Sequence, residues 1–597
     1  MMENKQTPNL VVCVVGILLI LSIIFTGLLA FDLANRGLVW EFAWSVTGEE
    51  EPVGQIRGVV QWIVGHRRPY PNTAPMIPIN HTNVNPYGIN TFLEQEVDRA
   101  KVDAQIEMIS EAGFQWIRQQ FVWEDIEVDG RGQFTDTRND LNGDGVYDDA
   151  DTINAWDKYD YIVDVAEQYG LGILARLDNP PEWSRSDSES ADTAPPDDIQ
   201  DFVNFAVAVA ERYQGRIRYF QVWNEPNLTN EWGFTPVEPE RYTELLCRTY
   251  DALKAVDPTI VVLTGALAPT VDLSGFNLMD FVFLQRMYDA GAGECFDILS
   301  AQGYGLWSGP SDHRMRPTTV NIMRHLYLRD MMVNNGDGHK PIWISEAAWN
   351  PVPTYDQLPL NPDGSDPIDA REVFGQVTPE QASEWMPDYY QRAQEEWGWI
   401  GAINYWFFTL ASDNRRNESF YFMRMVEPDY SEEDPTFTPL PIYHTMRDYI
   451  ATQTPTLYRG VHQVAGHWAI DSDENAEIVL TDGSLFDQAL QTTEITFVAN
   501  GTDMRIRWHG GDITINVDGE STIVNGHDGW NHHTFISTLT PHTHTITITS
   551  DSPIIIDAIT VNDRSREKLF PIISTSIVLI MIGLGWMLMS IFKGQSL

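Results

Sequence analysis

From Tyr87 to about Ile450, short apolar runs alternate with longer segments in which apolar residues recur at every third or fourth position. The short runs are typical of buried parallel strands and the longer segments of amphipathic helices, so the pattern predicts repeated βα units. The eight predicted strands are residues 87–92, 116–121, 172–177, 218–222, 260–265, 296–300, 341–346 and 400–407. This is the α/β architecture of a (β/α)8 (TIM) barrel, which we place at residues 87–452.

The pattern changes after residue 453. Helical periodicity ends, and short Thr/Ile/Val alternations follow one another, separated by turns such as Asp518-Gly519 and Asn525-Gly526. Such alternation predicts an antiparallel β-sandwich at residues 453–562. The segment resembles galactose-binding-like accessory domains, which implies sugar binding, but a spacer that lifts the barrel off a membrane fits the same pattern.

Two apolar runs flank these domains. Residues 10–31 form the first run and contain no charged residue; a short tail (1–9) precedes them. Residues 32–86 follow as an irregular, Pro-rich stem, in which a short amphipathic helix near Val59 to Val64 is the one predicted element. Residues 569–592 form a second run of spanning length. We expect two transmembrane helices that anchor the protein and place residues 35–567 on the extracytoplasmic side. A cleaved signal peptide is the alternative for the first run.

Charge and cysteine content narrow the function classes. The chain has 38 basic and 85 acidic residues, a net charge of −47, which argues against nucleic acid as a partner but does not repel neutral sugars. Cys13 lies in the first apolar run, so Cys247 and Cys295 are the soluble cysteines. We expect both as free buried thiols, with one bridge between them as the alternative.

Two glutamates stand where predicted strands end. Pro226 directly follows Glu225 and cannot continue a strand, because it has no backbone N–H to donate, while Glu346 ends the seventh strand. In a barrel both side chains would converge at the carboxyl end of the sheet, where catalytic groups are mounted. A pair of carboxyl groups is what glycoside hydrolysis requires, one as acid and one as carboxylate facing the anomeric carbon. A solvated turn is the alternative interpretation of Glu225.

Other side chains fit the same chemistry. Asn224 can bind a sugar hydroxyl next to the reacting carbon, and Arg118 on the second strand can favour the ionised form of Glu346. Five tryptophans fall at or just after strand ends, where they could stack on sugar faces or pack in the core: Trp123, Trp183, Trp307, Trp349 and Trp406. Of these we expect Trp406, and then Trp183, to bind substrate.

The motifs Trp-Asn-Glu-Pro-Asn (223–227) and Ile-Ser-Glu-Ala-Ala-Trp-Asn (344–350) resemble those of clan A glycoside hydrolases, closest to the family 39 β-xylosidase-like or cellulase-like enzymes. The resemblance implies a retaining double displacement on a β-linked oligo- or polysaccharide, with Glu225 as acid/base, Glu346 as nucleophile and no catalytic cofactor. It also implies that Tyr304 lies beside the nucleophile and that Trp406 is a sugar platform. Gln302 departs from the pattern, because many relatives have His at this position.

An acidic loop at residues 140–151 matches a calcium-binding pattern. The predicted ligands are Asp140, Asn142, Asp144, Val146 (through its carbonyl), Asp148 and Asp151. Asp at the twelfth position resembles the dockerin type of loop. The expected role of the Ca2+ is structural, and a solvated acidic insertion is the alternative.

The competing functional class is a non-catalytic, glycan-binding surface protein on a degenerate barrel. The presence of both Glu225 and Glu346 argues against it. A third hypothesis is a polysaccharide-processing factor within an envelope-assembly complex. The sequence does not indicate an oligomeric state, and it does not identify the sugar.

Overall fold

A computed structural model provides the structure of the protein. It describes residues 7–65, 70–138, 152–187, 191–353, 374–412, 415, 419–428, 436–565, 568 and 575–576. The predicted calcium loop (140–151) and almost all of the second apolar run (569–592) lie outside these residues.

Three helices precede the barrel: α1 Thr7–Ala34, α2 Leu38–Thr47 and α3 Pro52–Gly65. The short helix predicted near Val59 to Val64 lies within α3, whereas the prediction of an irregular stem was wrong for α2 and for the first half of α3. Gly48, with a φ of 64°, ends α2 in the left-handed conformation that glycine adopts without strain, and Pro52 starts α3. Of the helices in the described part of the chain, no single one meets the length and apolarity needed to cross a membrane, but Ser22–Ala34 and Leu38–Thr47 meet them together as a pair bent by 64°.

Eight parallel strands form the barrel: β1 Tyr87–Thr91, β2 Trp116–Val122, β3 Gly172–Asp178, β4 Tyr219–Val222, β5 Val261–Leu263, β6 Leu299–Gln302, β7 Ile342–Ala347 and β8 Ile400–Tyr405. Hydrogen-bonded neighbours run in the order β5–β4–β3–β2–β1–β8–β7–β6. Isolated parallel bridges from Leu263 to Ile298 and from Leu267 to Ala301 join β5 to β6 and complete the ring. The prediction of a (β/α)8 barrel is confirmed.

Each strand is followed by one helix of the outer layer: α4 Arg99–Glu111, α5 Asp157–Gln168, α6 Ile199–Arg212, α7 Pro239–Val256, α8 Asp280–Asp289, α9 Arg324–Asn334, α10 Pro379–Glu396 and α11 Pro441–Thr452. Local sequence sets their starts. The Asp198 carboxylate caps α6 by accepting a hydrogen bond from the Gln200 N–H, and Thr378 with Gln381 forms a capping box on α10. Their apolar faces cover the strands and form the main core.

A β-rich, mainly antiparallel domain follows. Its strands are β9 Thr456–Leu457, β10 Gly460–Gln463, β11 Ile470–Ser472, β12 Glu477–Leu480, β13 Gln488–Gly510, β14 Ile513–Val517, β15 Glu520–Val524 and β16 His527–Asn562. The long strands β13 and β16 pair with each other along most of their length and enclose a separate apolar core. This domain contacts the chain just before β1, where Asn83 Nδ2 donates to the carbonyl of Ala465 over 3.0 Å. It therefore lies at the amino end of the barrel strands and leaves the carboxyl end free.

Cys247 on α7 and Cys295, just before β6, form a disulfide across 48 residues of sequence. The expectation of two free thiols was wrong, because the barrel folds the two segments side by side. Spacing along the chain carries no information about this proximity, which arises only from the tertiary structure.

Replacing both cysteines by serine is expected to lower the free energy of unfolding by about 4 kcal/mol, since a closed loop of this length restricts the unfolded chain by about that amount. Thermal unfolding of the Cys247→Ser/Cys295→Ser variant and of the reduced native chain would measure the change. The Cys13→Ser variant is the control, and an unchanged midpoint in the double variant would contradict the expected stabilisation.

Candidate active site

The segment after β4 carries the first glutamate in a strained backbone. Trp223 and Glu225 have φ angles of 76° and 37°, in the left-handed region that non-glycine residues rarely adopt. Such conformations cost on the order of 1–3 kcal/mol each and persist only where the surroundings enforce them. The indole of Trp223 is fully buried, and its Nε1 donates to the Glu231 carbonyl over 2.8 Å. This packing holds Glu225 at the carboxyl end of the barrel.

The buried guanidinium of Arg118 on β2 joins four strands across the inside of the barrel. It donates from Nε to Gln221 Oε1 (2.9 Å), from Nη2 to Asn224 Oδ1 (2.8 Å), and from Nη1 to Asn90 Oδ1 (2.7 Å) and Glu346 Oε1 (2.9 Å). Every nitrogen of the guanidinium is engaged, so its position is fixed by charge-assisted hydrogen bonds. The structure thus places Arg118 against both Glu346 and Asn224.

Glu346 at the end of β7 accepts hydrogen bonds on both carboxylate oxygens. Arg118 binds Oε1, and the Tyr304 hydroxyl, from the loop after β6, donates to Oε2 over 2.7 Å. Burial, together with the charge of Glu346, raises the pKa of Tyr304 well above its ordinary value, so the phenol keeps the proton it donates. A cation and a neutral donor therefore fix the orientation of both Glu346 oxygens.

Glu225 has the opposite environment. Loss of solvent raises the pKa of Glu225 well above its ordinary value, and the nearby charges of Glu346 and Glu231 raise it further. The amide Nε2 of Gln302 donates to Glu225 Oε1 over 2.9 Å, which partly opposes this rise. The environment of Glu225 therefore favours its protonated form, which is what a general acid requires.

A third carboxyl, that of Glu231, adjoins the pair and is partly exposed. Burial raises the pKa of Glu231 to about 7, against the opposing charge of Arg176, and Asn224 donates a hydrogen bond to it. The Asn224 amide is thus fixed on both sides, by Arg118 and by Glu231. Arg176 also forms an ion pair with Asp178 over 2.7 Å.

The tryptophans divide into two groups. Trp123 and Trp349 are fully buried, so for these two the core-packing alternative holds. Trp406 follows β8, is partly exposed and packs edge-on against Phe92. Its peptide bond with Phe407 is cis. Trp307 is exposed.

Trp183 lies in a different environment from the two glutamates. It lines a cavity of about 330 Å³ together with Glu127, Arg131 and residues of α6, and its Nε1 donates to the Glu127 carbonyl. Its ring also packs edge-on against the buried Trp123, with 5.7 Å between the ring centroids. The structure thus brings Arg118, Asn224, Tyr304, Glu225 and Glu346 together and places Trp183 in the wall of this side cavity.

Three further site residues have no distinct signal in the hydrophobic pattern. Asn90 and Gln221 are buried polar residues within strand runs, where each accepts from Arg118, and Glu231 lies in the loop after β4. A buried polar side chain inside a strand costs free energy unless it is paired, which is the one hint that these positions serve the site.

Within the described ranges, no group of three or more His, Cys, Asp or Glu residues could hold a metal ion. The six predicted ligands at 140–151 lie outside those ranges, so the calcium site stays a prediction.

The fold and site define a (β/α)8 barrel with two glutamates that have different hydrogen-bond partners at its carboxyl end. No family model matches the chain, and no curated protein matches it. Solved structures similar to it include a family 39 glycoside hydrolase from Bacteroides cellulosilyticus (15% identity, 80% of this chain and 83% of that chain, TM-score 0.44). Others are a family 39 β-xylosidase from Caulobacter crescentus (13%, 80% and 98%, 0.40) and a family 30 endoxylanase from Clostridium papyrosolvens (12%, 80% and 99%, 0.36).

Proposed function

We propose that the protein is a retaining glycoside hydrolase that cleaves a β-linked oligo- or polysaccharide. The observation that carries the proposal is the unlike environment of the two glutamates. Arg118 and Tyr304 bind both oxygens of Glu346, whereas burial and neighbouring carboxylates raise the pKa of Glu225. One carboxylate and one protonated acid are the two groups that glycoside cleavage requires.

In the proposed first step, the Glu225 proton passes to the glycosidic oxygen as the bond from that oxygen to the anomeric carbon breaks. A Glu346 oxygen forms a bond to this carbon, and the leaving sugar departs as an alcohol. In the second step, Glu225 takes a proton from water, and the water oxygen displaces Glu346. Asn224 holds a sugar hydroxyl beside the reacting carbon, and Trp406 supports the sugar face.

The test is hydrolysis of a panel of aryl β-glycosides and soluble polysaccharides by the full chain, with the first-formed anomer identified by proton NMR. We expect turnover of at least one β-glycoside with retained configuration. An inverted product would contradict the double displacement. Binding of a glycan without turnover would support the glycan-binding alternative instead.

We also propose that residues 10–31 and 569–592 anchor the chain in a membrane, with the barrel on the extracytoplasmic side. The apolar composition of both runs supports the anchor. The disulfide between Cys247 and Cys295 supports the orientation, because disulfides persist in oxidising compartments. Protease digestion of intact and of permeabilised cells is the test, and a barrel that is cleaved only after permeabilisation would contradict this orientation.

Replacing Gln302 with methionine is expected to move the alkaline limb of the kcat/KM profile up by about one pH unit. The Gln302 amide stabilises ionised Glu225, and a hydrogen bond to a charged group contributes about 1.5 kcal/mol, close to one unit of pKa. Because the general acid must be protonated, a higher pKa of Glu225 extends activity to higher pH. The pH profile of kcat/KM on an aryl glycoside measures the shift.

Glu231→Gln is the matched control for this profile, because its charge raises the pKa of Glu225. Removing that charge is expected to move the same limb to lower pH. Shifts of both variants in one direction would contradict the assignment of the limb to Glu225.

A further inference from the structure

Helices α2 and α3 turn an apolar surface to the outside. On α3 the exposed apolar residues recur at intervals of three, four, three and one, so they form a single stripe along the helix. On α2 the exposed apolar residues lie near the start of the helix. We call these residues the platform face: Leu38, Val39, Phe42, Val53, Ile56, Val60, Ile63 and Val64. Leu38 and Val53 are 82% and 80% exposed. A helix on the surface of a soluble domain normally has the reverse arrangement, so something covers this face.

The two helices are firmly attached through their other sides. Ala43, Val46 and Thr47 of α2 are buried, and Trp44 packs against Trp385 of α10 with 5.3 Å between ring centroids. Arg314, in the long loop after β6, binds Glu49 over 2.8 Å. The platform face is therefore held in a fixed orientation on the barrel.

Helices α2 and α3 are attached to the barrel at the carboxyl end of its strands, where the two glutamates lie. The loop after β6 carries Tyr304, whose hydroxyl binds Glu346, and continues to Ser308 and Arg314. Ser308 meets Gly48 at the end of α2, and its carbonyl accepts from Trp349 Nε1 over 2.9 Å. The loop that supports the nucleophile thus also supports the helix pair.

The platform face is continuous with the apolar surface of α1. Ile23, Phe25, Leu28 and Phe31 of α1 are exposed, and only Asn35 to Gly37 separate α1 from α2. The axes of the two helices differ by 64°. If α1 runs along the membrane normal, α2 lies 90° − 64° = 26° from the membrane plane. That is the orientation of a helix that rests on a bilayer rather than one that crosses it.

The charge of this segment also suits a lipid surface. From Arg36 to Arg68 four basic residues balance four acidic ones, whereas the whole chain has 38 against 85. Trp40, Trp44 and Trp62 lie in the same segment, and tryptophan is enriched at the membrane–water interface. The segment itself therefore adds no net charge to the repulsion between this acidic chain and anionic lipids.

We infer that α2 and α3 lie in the interface of a lipid bilayer, with the platform face against the acyl chains, and that they hold the catalytic end of the barrel beside the membrane. The inference rests on the anchor proposed for residues 10–31. It adds a second, peripheral contact that fixes the orientation of the barrel, which a single flexible anchor would leave free. The glycans within reach of the site are then those presented close to the membrane surface.

The test uses the full chain with Cys13→Ser and one introduced cysteine, Val60→Cys, labelled with an environment-sensitive fluorophore. The chain is reconstituted into vesicles of phosphatidylcholine with a minor fraction of phosphatidylglycerol, with nitroxide lipids as quenchers. Ile523→Cys, at a position 72% exposed on β15 of the β-rich domain at the amino end of the barrel, is the matched control. We expect quenching at least about threefold stronger at position 60 than at position 523, since a label on an interfacial helix lies within the acyl boundary.

The other outcomes overturn the inference. Equal, weak lipid quenching at both positions, with iodide access at position 60, would show a solvated face. Protection from both quenchers, with energy transfer between differently labelled copies, would show that a second copy covers the face. A chain that does not float with the vesicles overturns the anchor as well, whereas a chain that floats without quenching overturns this inference alone. No catalysis is measured, so a failure of the proposed hydrolysis is detected separately.

Discussion

Replacing Glu346 with glutamine is expected to lower kcat by at least about 10⁴-fold, which corresponds to about 5 kcal/mol of transition-state stabilisation. Glutamine keeps the size of the side chain but cannot form the glycosyl ester, and its amide no longer balances the charge of Arg118. Steady-state hydrolysis of an aryl glycoside measures the loss. Because the nucleophile itself is missing, a better leaving group should not restore the rate.

Two measurements separate this role from a folding defect. Glu94→Gln removes another buried carboxyl, which Gln119 binds and which contacts neither catalytic glutamate, and it should retain most activity. In Glu346→Gly, added azide is expected to attack the anomeric carbon directly and give a glycosyl azide of inverted configuration. Substantial activity in Glu346→Gln would exclude Glu346 as the nucleophile.

The Glu225→Gln variant is expected to lose about 10²–10⁴-fold in kcat/KM on a substrate with a sugar leaving group, the usual contribution of general acid catalysis. On a dinitrophenyl glycoside, the rate of the first step in this variant should fall far less, because that leaving group departs without a proton. Pre-steady-state measurements should then show a burst, since the variant also lacks the base for the second step.

The leaving-group dependence is the decisive comparison between the two variants. Added azide should accelerate Glu225→Gln on the dinitrophenyl glycoside and give a product of retained configuration, the opposite stereochemistry to Glu346→Gly. Equal losses on both kinds of leaving group would contradict an acid role for Glu225.

The barrel and its two glutamates are accessible from sequence because both depend on short-range signals. A buried strand that stops at a proline, as before Pro226, places the preceding carboxyl at the carboxyl end of the sheet. The alternation of strand and helix predicts the ring, and from this ring the proximity of Glu225, Glu346 and Arg118 follows. The bounds of single strands differ from the prediction even so: the sixth strand was predicted at 296–300 and lies at Leu299–Gln302.

The remaining features depend on contacts between distant segments. Whether a tryptophan at a strand end packs inward or faces a cleft depends on its neighbours, so Trp123 and Trp406 look alike in sequence but differ in exposure. The hydrogen bond from Gln302 to Glu225 joins residues 77 positions apart. Of helices α2 and α3, the sequence predicts only the part of α3 near Val59 to Val64, because the acidic run Glu49-Glu50-Glu51 followed by Pro52 favours an irregular chain between them.

The disulfide has a consequence for the order in which the ring opens. Strands β5 and β6 are joined by isolated bridges, whereas the other neighbouring strands pair along ladders. Backbone hydrogen bonds such as Asp297 N–H to the Val262 carbonyl and Gln302 N–H to the Leu267 carbonyl cross this seam without forming a continuous ladder. Cys247, on the helix that leads into β5, and Cys295, just before β6, are bonded beside that seam. The covalent bond therefore joins the two segments at the one junction of the described ring that has no ladder, and it holds them together when the backbone there opens locally.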